Sequence, residues 1–353
     1  MYPYWILFAI FAVGAIDYRR RGIGANAPQP LLLVAGLFTA LLIGFRYEVG
    51  GDWWTYGNIF QTLSYMDLKG AIAYGDPGYS LLNWLAFQLG FGIWFVNLVC
   101  ALIFTWGCFR FAREQPNPWL AILVAVPYLI IVVAMGYTRQ AVAIGFVMAG
   151  LAVLGRVSLL RFSVYILFAV AFHKSAVIVL PFVAMTESRN RLFTILMIVL
   201  MTASLYYLFV SSSIDRLVNV YVSAEYNSQG AYVRVLMNLL PACLYLIFSK
   251  RFGLPPTQQR LWRNFSIAAV LCPVALGVIA SSTAVDRLAL YLIPLQMFVL
   301  SRLPEIFPNR QGRNGQLVLV VIAYSALIQF VWLNYAANAP SWVPYQIYRT
   351  ETA

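Results

Sequence analysis

The sequence predicts an all-α polytopic membrane protein with about 12 transmembrane helices, and three observations carry that reading. Apolar runs of about 16–20 residues recur along the whole chain, the length a bilayer core requires. Of 353 residues 62% are hydrophobic and only 10% charged, with mean hydropathy +0.77. A soluble protein of this length could not hydrate such a surface. Basic residues also gather in alternate loops, as membrane insertion demands.

The spans follow in order. The first, 2–16, has no basic stretch before it and no small-residue cleavage site after it, so it reads as a retained helix. Arg19, Arg20 and Arg21 then mark a cytoplasmic loop, and the second span runs 31–45. Residues 46–77 form an outer segment. Within it Trp53, Tyr56, Phe60 and Leu63 share one face at helical spacing, with Asp52 expected as the N-cap of an interfacial helix. Asp76 and Pro77 open a further apolar run too short to span, which reads as re-entrant or interfacial. Spans are expected at 91–111, 119–136, 138–154, 157–172 and 175–187, the last two being either two short helices or one kinked span. A span at 192–210 precedes a second outer segment, 211–233, with Tyr221, Tyr226 and Tyr232. Four more follow at 234–249, 265–283, 287–301 and 316–335. The whole chain reads as one transmembrane domain.

This topology puts both termini outside and the whole excess of the +12 net charge in cytoplasmic loops. The basicity is topological and calls for no nucleic-acid partner. Cys100, Cys108, Cys243 and Cys272 all lie in apolar runs, no Cys-x-x-Cys occurs, and the chain has a single histidine. A Cys/His metal site is excluded, and the cysteines read as small buried residues.

Chemistry is then sought among the charges that insertion does not explain. Arg46, Glu48 and Asp52 sit at the outer end of the second span, Arg139 between two spans, His173 and Lys174 in another outer turn. Arg234 opens the span after the second outer segment, and Asp286 and Arg287 open a later one. Each has a plainer reading: an arginine at a helix end snorkels or binds a lipid phosphate, a histidine is hydrogen-bonded inside, and neighbouring charges pair. Their convergence at one depth favours another reading. Several arginines near hydrocarbon are costly unless an anion or a wet cavity receives them, and the guanidinium fork matches phosphate oxygens. An outward-facing phosphate or pyrophosphate site is expected. Tyrosines and tryptophans of the outer segments and of the tail "APSWVPYQIY" could stack on sugars or form an interfacial belt.

"GFRYEVGGDWWTY", "YTRQAVAIGF", "FHKSA" with Pro181 downstream, "DRLALYLIP" and "SWVPY" resemble, in order and over nearly the whole chain, the blocks of the EpsG/Wzy-like family of exopolysaccharide and O-antigen polymerases. The resemblance implies an inner-membrane glycosyltransferase related to the GT-C class. It would join oligosaccharide repeat units carried on polyprenyl pyrophosphate at the periplasmic face, alongside a flippase and a chain-length regulator. On that reading His173 is the expected general base, Glu48 the second candidate, and Arg139 and Arg287 neutralise the departing pyrophosphate. The expected binding set is Arg46, Arg139, Arg234, Arg287, Asp52, Tyr56, Asp286 and Tyr291. No cofactor and no metal are expected, because the outer carboxylates are few and close to arginines. A lipid-linked glycan ligase shares every one of these arguments. A flippase or transporter would instead place charges near the midplane on broken helices, with repeat symmetry.

Overall fold

A computed structural model describes residues 1–21, 29–154, 159–187, 231–278, 282–309 and 314–348, with a few positions between 192 and 203. The expected span at 192–210 and most of the second outer segment lie outside the described residues. The described chain is helical almost throughout. In order it forms α1 Tyr2–Arg21, α2 Pro30–Gly44, α3 Trp53–Ser64, α4 Leu68–Tyr74, α5 Pro77–Gln88, α6 Ile93–Arg113 and α7 Pro118–Ala125. There follow α8 Thr138–Val153, α9 Leu159–Phe172, α10 Val179–Glu187, α11 Ala231–Phe248, α12 Pro256–Val278, α13 Ser282–Ala289, α14 Ile293–Ile306 and α15 Gly315–Tyr335.

The architecture is that of a multi-pass membrane protein. Among the described residues four stretches are long and apolar enough to cross a bilayer: Ile93–Arg113, Tyr232–Phe252, Val285–Ile306 and Gly315–Tyr335. Other apolar helices, such as Pro30–Gly44 and Thr138–Val153, are shorter. Leu31, Leu33, Val34 and Leu37 of α2 stay exposed, as a lipid-facing surface requires.

Most boundaries lie close to expectation, and the departures have local causes. The chain breaks at His173, which is extended between α9 and a short 3-10 turn Lys174–Ile178, so 157–187 holds two helices. The expected span at 287–301 is α13, a 3-10 turn Leu290–Leu292 and α14. Pro294 has no N–H to give Leu290, and the helix tightens to a 3-10 turn there while the stretch Val285–Ile306 stays helical. α12 begins at Pro256, well before 265, because Pro256 is preset for a helical start and Arg260 and Arg263 are tolerated outside the apolar part.

At the centre stands the run from Leu120 to Met135, buried along its whole length. A helix apolar on every side belongs inside a protein. Its first part is α7, started by Pro118 and capped by Asn117, whose Oδ1 accepts from the Leu120 N–H at 3.1 Å. Val126–Ala134 continues it as a π-helix. α1, α14 and α15 pack around it, while α6 lies between α2 and α8. Lipid supplies no hydrophobic drive between helices, so close fit must hold them. At the α6–α8 crossing Gly107 and Gly145 meet backbone to backbone, and a Cβ on Gly107 would strike the Gly145 carbonyl.

The C-terminal tail returns to the outer turn. Tyr47 N–H donates to the Gln346 carbonyl at 2.9 Å, Tyr348 N–H to Phe45 at 2.7 Å, and Gly50 N–H to Ser341 at 2.8 Å. Trp342 is buried, its Nε1 donating to the Ile131 carbonyl at 2.9 Å, while Tyr4 Oη donates to the Trp342 carbonyl at 2.6 Å. The start of α1 and the tail up to Tyr348 therefore meet on the face that carries the 45–52 turn. Trp342 is a packing residue and presents no face for a sugar, unlike the expectation for the tail.

Candidate active site

The turn after α2 builds one wall of the site. Gly50 has φ +111°, and its Cα lies against the Met135 carbonyl where a Cβ would not fit. Glu48 is also left-handed, at φ +51°. This bend directs Arg46 inward. Arg46 is 1% exposed and uses four of its five N–H donors: Nε to the Val49 carbonyl at 3.2 Å, Nη1 to Ile43 at 2.7 Å, Nη2 to Asn97 Oδ1 at 3.2 Å and to Thr138 Oγ1 at 2.8 Å. The expectation that its fork reaches a phosphate outside the hydrocarbon is corrected. Arg46 pins α2, α6 and α8 together, sitting where the last carbonyls of α2 are electronegative.

Asp52 occupies the N-cap position of α3, but its carboxylate accepts no first-turn N–H, so the capping expectation fails. It is half-buried. Burial raises its carboxyl above the ordinary range, and the charges of Arg287 and Arg139 partly offset that. Asp76 likewise heads α5 without capping it. It pairs instead with Arg139, Nη1 to Oδ2 at 2.9 Å, and burial raises its carboxyl too. The cap of this region is Asp67, which accepts from Gly70 N–H at 2.9 Å at the head of α4.

Arg139, at the start of α8, lies over the rings of Tyr56 and Tyr79, 5.8 and 5.9 Å from their centroids, with its side chain 34% exposed. Gln140 next to it donates Nε2 to the Arg287 carbonyl at 2.6 Å, which ties α8 to α13. Arg287 is exposed, and among the described residues its guanidinium makes no hydrogen bond or ion pair. His173 lies within electrostatic reach of both arginines. Burial first, then the charges of Arg139 and Arg287, push its pKa down to about 3. An imidazole held so far below its ordinary range is a poor proton acceptor near neutrality, against the expectation of a general base.

Other expected members lie elsewhere or are spent on each other. Arg234 and Asp286 form a two-point ion pair, Nε to Oδ1 at 2.7 Å and Nη2 to Oδ2 at 2.8 Å, so the fork offered to substrate is taken by a neighbour. Glu48, half-buried, acts on Tyr47, whose phenol it pushes up. Tyr291 is buried, its Oη 3.1 Å from Ser175 Oγ, and Tyr56 is buried beneath Arg139. Tyr232 is exposed on α11, and Tyr221 and Tyr226 lie outside the described residues.

What converges is Arg139, Arg287, Asp52 and His173, with Asp76, Tyr56 and Tyr79 behind Arg139. Sequence reasoning gave Asp76 only a capping role and missed Gln140 and Ser175, since neutral side chains carry no signal of depth. Beside Arg234 an apolar cavity of about 490 Å³ opens between the π-helix, α11 and α15, with Val132, Met237, Ile328 and Trp332 in its walls and Tyr137 at its rim.

No curated protein and no solved structure matches the chain. A family model does match, that of the EpsG family, over residues 30–347. The match runs from the first residue of α2 to Ile347, the tail residue that pairs with Arg46 in an antiparallel bridge, so it takes in every group just described. Membership suggests a polysaccharide-polymerase type of function carried by a multi-pass membrane glycosyltransferase. The chain belongs to the EpsG family.

Proposed function

We propose that the protein joins oligosaccharide repeat units carried on polyprenyl pyrophosphate, at the periplasmic face of the inner membrane, in a twelve-span fold related to the GT-C class. The observation that carries this reading is the convergence of Arg139 and Arg287 on Asp52 and His173, from four separate parts of the chain. A glycosyl transfer from pyrophosphate creates charge on the departing oxygen. Two guanidinium groups beside that oxygen stabilise it as it forms. Arg287 is free to bind, and Arg139 is held ready by Asp76 and two aromatic faces. The acceptor hydroxyl must lose its proton as it attacks. Asp52 is the carboxylate at hand, and its raised pKa makes it the better base. The apolar cavity beside Arg234 suits the isoprenoid chain of the substrate, with the ion pair and Tyr137 at its polar end.

Purified protein incubated with polyprenyl-pyrophosphate-linked repeat units should yield a ladder of longer lipid-linked glycans. Transfer to a different acceptor with no ladder would instead identify a ligase, and movement of the units across vesicles without bond formation a flippase.

A further inference from the structure

We infer that Tyr291 and Ser175 hold His173 in a single neutral tautomer, Nδ1 accepting and Nε2 protonated, so that the ring offers a hydrogen bond to an anion. The three groups form a chain: Tyr291 Oη lies 3.1 Å from Ser175 Oγ, which lies 3.3 Å from His173 Nδ1. Each hydroxyl has one proton to give. If Tyr291 donates to Ser175, Ser175 donates to Nδ1, and both hydroxyl protons find an acceptor. The reverse order, Nδ1–H to Ser175 and Ser175 to Tyr291, leaves the buried Tyr291 O–H with no acceptor among the described residues. An unpaired buried hydroxyl is costly, so the first order is the favoured one. The proton of the neutral ring then sits on Nε2.

That assignment suits the surroundings. Arg139 and Arg287 act on the ring from α8 and α13, and they disfavour a second proton on it. They also draw an anion, which takes a hydrogen bond from Nε2–H but could give none. His173 is thus a binding residue for the anion, with Ser175 and Tyr291 as its positioning residues. The anion is the pyrophosphate of the proposed reaction, and this part of the inference rests on that reading.

His173 is the single histidine of the chain, so ring-labelled [15N]histidine gives two nitrogen signals and no assignment problem. In wild type the unprotonated nitrogen should be the one coupled to Hε1 alone, Nδ1. Tyr291→Phe and Ser175→Ala should each bring in the other tautomer. A wild-type ring protonated on Nδ1, or one tautomer unchanged in both variants, overturns the inference. Titration with inorganic pyrophosphate should move the Nε2–H resonance. His173→Gln, which donates from a similar reach and accepts no proton, should keep pyrophosphate affinity within about threefold, and His173→Leu should lose about tenfold. An Nε2–H signal that pyrophosphate leaves unmoved overturns the donor role. The tautomer arm needs no turnover, so its failure is separable from failure to polymerise.

Discussion

Arg46 and Arg139 carry the same side chain at the same end of the bundle, and their surroundings give them opposite tasks. Arg46 has spent its donors on two carbonyls, an amide and a hydroxyl, and is sealed from solvent. Arg139 has one ion pair and two aromatic faces, and remains partly open. Arg46→Ala would orphan buried acceptors on three elements, at a cost of about 3 kcal/mol or more. It should cut the yield and melting temperature of folded protein. Arg139→Lys keeps the charge, loses the two-point fork, and should insert and melt normally while losing most product. Monodispersity in detergent and the product ladder, read together, separate the two. Equal loss of folded protein in both variants would remove the distinction. A second expectation concerns pH. Asp52 must be ionised to act as a base, and burial raises its pKa, so turnover should fall on acidification with a midpoint above the ordinary value of about 4. His173, pushed down to about 3, adds no limb near its ordinary 6.5. A limb near that value, present in wild type and absent in His173→Gln, would return the base to His173.

At the scale of elements, what could be read beforehand was whatever a bilayer makes expensive. Apolar runs gave α2, α6, α8 and α15 nearly to the residue, and Arg139, His173 and Arg287 stood out because charge near hydrocarbon needs a reason. Which arginine was free could not be read. That depends on Asn97, Thr138 and Asp76 meeting them from distant parts of the chain, and the sequence alone does not show which acceptor meets which arginine. The π-helix was equally hidden, since its apolar sequence suits an α-helix as well. The tail departs from expectation for a related reason: a tryptophan near an interface is usually an anchor there. Here Trp342 is driven into the space that Gly136 leaves, and the tail straps the 45–52 turn through Ser341, Gln346 and Tyr348. Trp342→Ala should cost about 3–5 kcal/mol and loosen that turn. The melting temperature should fall, and product formation should fall further than folded protein does, because Asp52 hangs from the strapped turn. An unchanged melting temperature would mean the tail is an accessory.

For the whole molecule the question is which face is outside. Tyr4, the 45–52 turn, Arg139 and the tail gather at one end of the bundle, so the start of α1, the tail up to Tyr348 and the candidate site share one side. The opposite end carries Arg110 and Arg113 in the last turn of α6 and Lys250 and Arg251 after α11. Basic residues resist translocation, so the proposed orientation keeps that end in the cytoplasm and turns the site to the periplasm. The two ends can be told apart by a thiol reagent that does not cross the membrane. Tyr65, 90% exposed after α3, belongs to the site end, and Gln258, in the first turn of α12, to the basic end. In a background without Cys100, Cys108, Cys243 and Cys272, Tyr65→Cys should label in intact spheroplasts. Gln258→Cys should label only after lysis. The reverse pattern would turn the site toward the cytoplasm. Lipid-linked units would then be joined before crossing the membrane, and a flippase would have to carry polymer instead of single units.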